Sequence, residues 1–173
     1  MQPDILFNSI LAFAFIAAPA LADSPKLQTP APVIYLADNL DEQDDLGWCI
    51  DTLGRGFAER LQAHSCKPEG GDVQFSFDTK TGNIQSVAFS EYCMSHQPNE
   101  ESTFALVFCD PTATDQKFVY DPESRAIRTS DDETTCVSVG QHSQSAGPYM
   151  SRALVLTDCV TTPEALKEWV ILK

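Results

Sequence analysis

Basic residues are scarce in this chain: 11 Lys and Arg stand against 25 Asp and Glu, a net charge of −14 at pH 7. A surface this acidic repels phosphate backbones and anionic lipid headgroups, which sets nucleic acid and polybasic membrane attachment aside as partners. Histidine is scarcer still, at positions 64, 96 and 142, and no two cysteines stand in a C-x-x-C pair. That leaves no ligand spacing for structural zinc, and no metal or cofactor is expected. The nucleophile elbow G-x-S-x-G and the zinc-protease motif H-E-x-x-H are both missing. With every Cys expected in a disulfide, no thiol is left to pair with a His, so no catalysis is expected. No N-x-S/T sequon occurs, which suits a bacterial periplasmic or secreted protein. Helical periodicity is absent too, apart from a single turn at Thr162-Pro163-Glu164-Ala165.

A long apolar run occurs once, from Ile5 to Leu21, and it ends in the small-x-small site Ala20-Leu21-Ala22. It reads as a secretory signal peptide, residues 1–22, cut before Asp23, although its first residues carry no Lys or Arg. As a membrane span it is too short, and Asn8, Ser9 and Pro19 interrupt it. No membrane insertion is therefore expected after cleavage, and no Cys follows the site to carry a lipid. The mature chain keeps 24 acids against 11 bases. Residues 23–32 are proline-rich and polar, an extended linker. About 140 residues remain, from 33 to 173, enough for one core.

Six cysteines in an exported chain imply disulfides. They fall at 49 and 66, 93 and 109, 136 and 159, so first members repeat after 44 and 43 residues. A third feature keeps the period: Phe75-Ser76-Phe77, Phe118-Val119-Tyr120 and Trp169-Val170-Ile171 follow the three pairs. The first two segments alternate as half-buried strands do. Ile84 and Ile127 each stand nine residues before a first Cys, and Leu40 holds that distance before Cys49. Asp78 to Asn83 and Asp121 to Ser124 are turn chemistry. The third unit carries extra residues at Gly140 to Pro148, expected as a longer surface loop on which Tyr149 and Met150 ride.

One unit of about 43 residues cannot bury its own apolar side. Three units closing with threefold pseudosymmetry give an all-β fold, a β-trefoil, which also removes exposed sheet edges. That symmetry selects Cys49–Cys66, Cys93–Cys109 and Cys136–Cys159 from the 15 pairings open to six cysteines. Phe75, Phe118 and Trp169 then form one layer of the central core.

Cys49-Ile50-Asp51, Gln62-Ala63-His64-Ser65-Cys66, Gln116-Lys117-Phe118 and Trp169 together resemble the repeats of the ricin B-type lectins. That family carries Cys-x-Asp, a second Cys and a closing Gln-x-Trp in each repeat; here the last motif is degenerate. The resemblance implies a sugar site built from the Asp of Cys-x-Asp, an aromatic two residues before the second Cys, and a side chain just before Gln-x-Trp. In the first repeat these positions hold Asp51, His64 and Asp72, with Gln62 beside them. A charged acceptor binds hydroxyls strongly, and a flat ring covers the apolar face of a sugar. The second repeat has Ser95 and Val107 there, with Asp115 surviving, and the third has Ser138, Thr157 and Leu166, so at most one site is expected. Asp51 as a turn cap is the bland alternative. The partner implied is a glycan or glycoprotein; a protein-binding trefoil with decayed sugar sites is the competing reading. The acidic runs Asp41 to Asp45 and Asp131 to Glu133 are expected as solvated loops.

Overall fold

The computed structural model describes residues 24–68, 71–96 and 103–173; the expected signal peptide lies outside them. These residues form twelve strands, four to a repeat. The first repeat holds β1 (Val33–Leu36), β2 (Trp48–Thr52), β3 (Leu61–Ser65) and β4 (Phe75–Asp78). The second holds β5 (Asn83–Ser86), β6 (Tyr92–His96), β7 (Phe104–Phe108) and β8 (Phe118–Asp121). The third holds β9 (Ala126–Thr129), β10 (Thr135–Ala146), β11 (Tyr149–Asp158) and β12 (Trp169–Leu172). Short 3₁₀ turns precede the last strand of each repeat, at Gly71–Val73, Thr114–Gln116 and Glu164–Leu166. The third of these is the turn the sequence announces.

Threefold symmetry is visible in the pairing. Within the repeats β2 pairs with β3, β6 with β7 and β10 with β11, all antiparallel. Between repeats β4 pairs with β5, β8 with β9 and β12 with β1, and Phe75↔Ser86, Phe118↔Thr129 and Leu36↔Trp169 occupy one register. The architecture is an all-β trefoil. Each disulfide closes the hairpin of its own repeat in the predicted pairing, with Cα–Cα distances of 5.2, 4.9 and 5.1 Å.

Alternation along these short strands delivers the core. Phe75, Phe118 and Trp169 are buried at equivalent positions and pack in one cluster with Ile34, Ile84 and Ile127. Both indoles find buried acceptors: Trp169 Nε1 donates to the Val137 carbonyl at 2.8 Å and Trp48 Nε1 to that of Asn39 at 2.9 Å. Polar turns join the strands. Asp78, Asp110, Asp121, Asp132 and Asp158 each accept the backbone N–H two residues on, at 2.8–3.0 Å. Hydrogen bonds from Lys80, Thr112, Ser124, Thr134 and Thr161 hold these carboxyls below the usual range. Much of the acidity thus serves turns, as an Asp side chain does when it mimics a backbone carbonyl.

Two departures from symmetry correct the sequence reading. The residue equivalent to Ile84 and Ile127 is Ile34, not Leu40, because Tyr35 faces Cys49 as Gln85 faces Cys93 and Arg128 faces Cys136. The first repeat therefore carries an insertion between β1 and β2, and the half-buried Leu40 stands in its turn with φ 49°. The run Asp41 to Asp45 lies in that insertion and is not wholly solvated. Glu42 is buried, and its carboxylate accepts the N–H groups of Asp44 and Leu46 at 2.8 and 2.7 Å and the Ser65 hydroxyl at 2.6 Å. Secondly, Gly140 to Pro148 is mostly not a loop. The β10–β11 hairpin is prolonged through a bulge, with Ser143↔Arg152 and Ala146↔Tyr149 still paired, and turns at Gly147-Pro148. Gly147 has φ 67°, the left-handed conformation that favours glycine in a tight turn.

Residues 24–32 form no helix or strand and run along the first repeat. Gln28 N–H donates to the Cys66 carbonyl at 3.2 Å and the Thr29 hydroxyl to that of Lys67 at 2.7 Å.

Candidate functional site

The β2–β3 ladder sets Asp51 opposite Gln62 and Cys49 opposite His64. The 3₁₀ turn before β4 brings Asp72 to the same end, and Lys67 follows the second cysteine. β11 then pairs with the other edge of β3, with Ser151 opposite His64 and Arg152 opposite Ala63. Through that pairing the prolonged hairpin lays Tyr149 beside His64, ring centroids 5.7 Å apart and edge to face.

These side chains wall an open depression of about 990 Å³ that includes Gln62, His64, Lys67, Asp72 and Tyr149. Of the four residues the sequence singled out, Gln62, His64 and Asp72 line it. Asp51 lies beneath, with no exposed surface. Its Oδ2 is 3.3 Å from Lys67 Nζ and 3.7 Å from His64 Nδ1, while Lys67 Nζ stands 3.5 Å from Asp72 Oδ2. Lys67 therefore bridges two carboxylates. Neither Asp51 Oδ1 nor Asp72 Oδ1, both buried, has a hydrogen-bond partner.

Burial pushes the Asp51 carboxyl up to about 7; Lys67 opposes that rise and Asp72 adds to it. Burial also lowers the His64 imidazole, so the ring is neutral at physiological pH, with Nδ1 3.0 Å from the Ser65 carbonyl. Gln62 is held by a bond from Nε2 to the Thr52 carbonyl at 3.2 Å.

Both departures from symmetry meet at this site. Asp41 of the first-repeat insertion accepts from Arg152 and Ser143 of the hairpin, and the Arg152 guanidinium lies 4.8 Å above the Trp48 ring. Glu42 holds Ser65, whose Oγ accepts the Met150 N–H at 3.1 Å. Insertion and hairpin thus brace the wall that carries Tyr149.

At the equivalent positions elsewhere Val107 and Leu166 are apolar, and the remaining polar side chains pair with each other. In the second repeat Ser95 donates to Asp115, and buried Gln116 ties Asp110 N–H and the Phe108 carbonyl together at 2.9 and 3.0 Å. In the third, Ser138 and Thr157 hydroxyls bond each other at 2.8 Å. Lys67 carried no signal in the sequence, and Tyr149 lay on a segment read as a loop. Among the described residues no His, Cys, Asp or Glu cluster is arranged to hold a metal ion.

A disulfide-stapled trefoil with one polar depression on a repeat flank is the architecture of lectin-like modules. The ricin-type β-trefoil lectin domain matches residues 40–165, and the chain belongs to that family. No curated protein sequence is significantly similar to it. Solved structures share the fold at low identity. The C-half of the earthworm R-type lectin, in complex with GalNAc, is 14% identical with a TM-score of 0.57, over 82% of this chain and 98% of that one. The cytolethal distending toxin of Actinobacillus actinomycetemcomitans is 15% identical at a TM-score of 0.56, over 82% and 91%. GalNAc-T7, solved with UDP, GalNAc and Mn2+, is 12% identical at 0.52; the match covers 72% of this chain and only 20% of that protein.

Proposed function

We propose that the chain is an exported, non-catalytic carbohydrate-binding module with a single glycan site, the first-repeat depression. The observation that carries this reading is the contrast between repeats. Asp72, Gln62, His64 and Lys67 line one open depression, whereas the second repeat has apolar Val107 beside an Asp115 bonded to Ser95, and the third has apolar Leu166 beside a bonded Ser138–Thr157 pair. Asp72 accepts a sugar hydroxyl, Lys67 donates to one, and Gln62 does either; charged partners make such bonds strong. Asp51 acts through Lys67, fixing its ammonium. Tyr149 supplies the flat apolar surface that His64 provides poorly. A single site gives no avidity within the chain, so affinity for a glycan or glycoprotein is modest. Three disulfides require an oxidising compartment, in keeping with export through the apolar leader.

The test is a glycan array probed with the oxidised mature chain, multimerised on a scaffold, beside Asp72→Ala and Tyr149→Ala. Binding that both substitutions abolish, with unchanged circular dichroism, supports the site. Silence of a folded sample across the array refutes it.

A further inference from the structure

Resting on that reading, we infer that the site takes a glycan longer than a single sugar, and that an aromatic shelf beside the depression carries the additional sugar residues. A row of four aromatic rings in mutual contact begins at the depression. Phe89, on the β5–β6 turn, lines it. Phe57, on the β2–β3 loop, meets Phe89 edge to face at 5.2 Å and Tyr92 at 4.7 Å, and Tyr92 stacks on Phe108 at 4.5 Å with rings 27° apart. The row runs outward from the depression without a break.

The two outer rings are exposed, Phe57 at 44% and Phe108 at 66%, while Phe89 and Tyr92 are half-buried against the core and anchor them. Their placement is built. Residues 53–56, immediately before Phe57, themselves line the depression, and the Thr52 hydroxyl closes their loop on the Gly56 carbonyl at 2.9 Å. Gly54 and Gly56, at φ 113° and 76°, permit that tight return. At about 990 Å³ the depression lies at the upper end of the range that encloses drug-sized ligands, and one hexose leaves most of it empty. Aromatic faces bind the C–H faces of successive sugars at low entropic cost, because a ring has few torsions to freeze. Continuity with the polar depression selects a saccharide chain as the occupant, its terminal sugar held at Asp72 and its next residues over Phe89 and Phe57.

The experiment compares the full mature chain with Phe57→Ser and Asp72→Ala. Each is titrated with methyl galactoside, lactose and a lactose-terminated tetrasaccharide, with saturation-transfer NMR for weak binding. The expected result is a gain of about tenfold or more in affinity from the monosaccharide to the tetrasaccharide. Phe57→Ser, an exposed position, should abolish the gain yet leave monosaccharide binding, and Asp72→Ala should abolish both. Equal affinity for all three ligands overturns the shelf while leaving the single-sugar site standing, as does a gain that survives Phe57→Ser. Failure to bind any of the three, together with silence across the glycan array, overturns both readings. Phe57-dependent binding to a deglycosylated protein, with no gain for longer saccharides, overturns the shelf in favour of a protein partner.

Discussion

Replacing Asp51 by Asn should change how stability depends on pH more than it changes stability itself. The carboxyl has no exposed surface, and burial raises its pKa from 3.8 to about 7 against the pull of Lys67. The native state therefore holds this proton more tightly than the unfolded chain does. Between roughly pH 4 and pH 7 unfolding releases the proton, so stability falls as pH rises through that window. About three pKa units at ~1.36 kcal/mol each set a ceiling of about 4 kcal/mol on the loss. His64 works in the opposite sense: its folded pKa is lowered, so its contribution is present above about 6.5 and fades as pH falls. The turn aspartates, whose pKa values are lowered, also stabilise above their unfolded pKa. The turn aspartates contribute equally to wild type and Asp51→Asn, so the difference between the two reports Asp51 together with the groups it touches, Lys67, His64 and Asp72. Urea unfolding at steps from pH 4.5 to 8, followed by tryptophan fluorescence, should show wild type losing about 2–4 kcal/mol relative to the variant. A pH-independent difference, or a wild type that gains on the variant as pH rises, would show that Lys67 keeps Asp51 ionised and that burial does not dominate.

Further predictions concern the frame. Trp169→Ala removes a fully buried indole and its bond to Val137, and should cost about 3–5 kcal/mol in denaturant unfolding. Glu42→Gln keeps the shape but weakens three hydrogen bonds to one buried carboxylate; a loss of about 1–3 kcal/mol is expected, with weakened protection of the Met150 amide in hydrogen exchange. Replacing Cys136 and Cys159 together by Ser opens a loop of sequence separation 23 and should cost about 3 kcal/mol, readable as a lowered urea midpoint with a raised m-value, because the unfolded chain expands.

The frame was legible because its constraints repeat. Three cysteine pairs and three aromatic residues in one period define the hairpins, the core layer and the disulfides, and each recurs in the structure at equivalent positions. The register of β1 was not legible. Leu40 stands at the right distance from Cys49 only because an insertion puts it there, and pairing with β12 shows that Ile34 is the core residue. The prolonged hairpin escaped notice because its outer strand is polar on both faces, mostly exposed from Gly140 to Ala146, and so lacks the alternation that marks a half-buried strand. The site was legible in part. Cys-x-Asp and its partners pointed to the flank where the depression lies, but Asp51 is buried there with Lys67 Nζ 3.3 Å away, and no local pattern announces that contact for a lysine after a cysteine. Tyr149 comes from another repeat, some 98 residues beyond Asp51, and reaches the site through the β3–β11 pairing alone.

The claim that one repeat retains a glycan site is tested most directly by quantitative glycan binding of three proteins side by side: wild type, Asp72→Ala, and Asp115→Ala at the equivalent position of the second repeat. The account predicts that Asp72→Ala removes binding by at least tenfold while Asp115→Ala, whose carboxylate is bonded to Ser95, leaves it unchanged. Equal loss in both, or loss confined to Asp115→Ala, would contradict it.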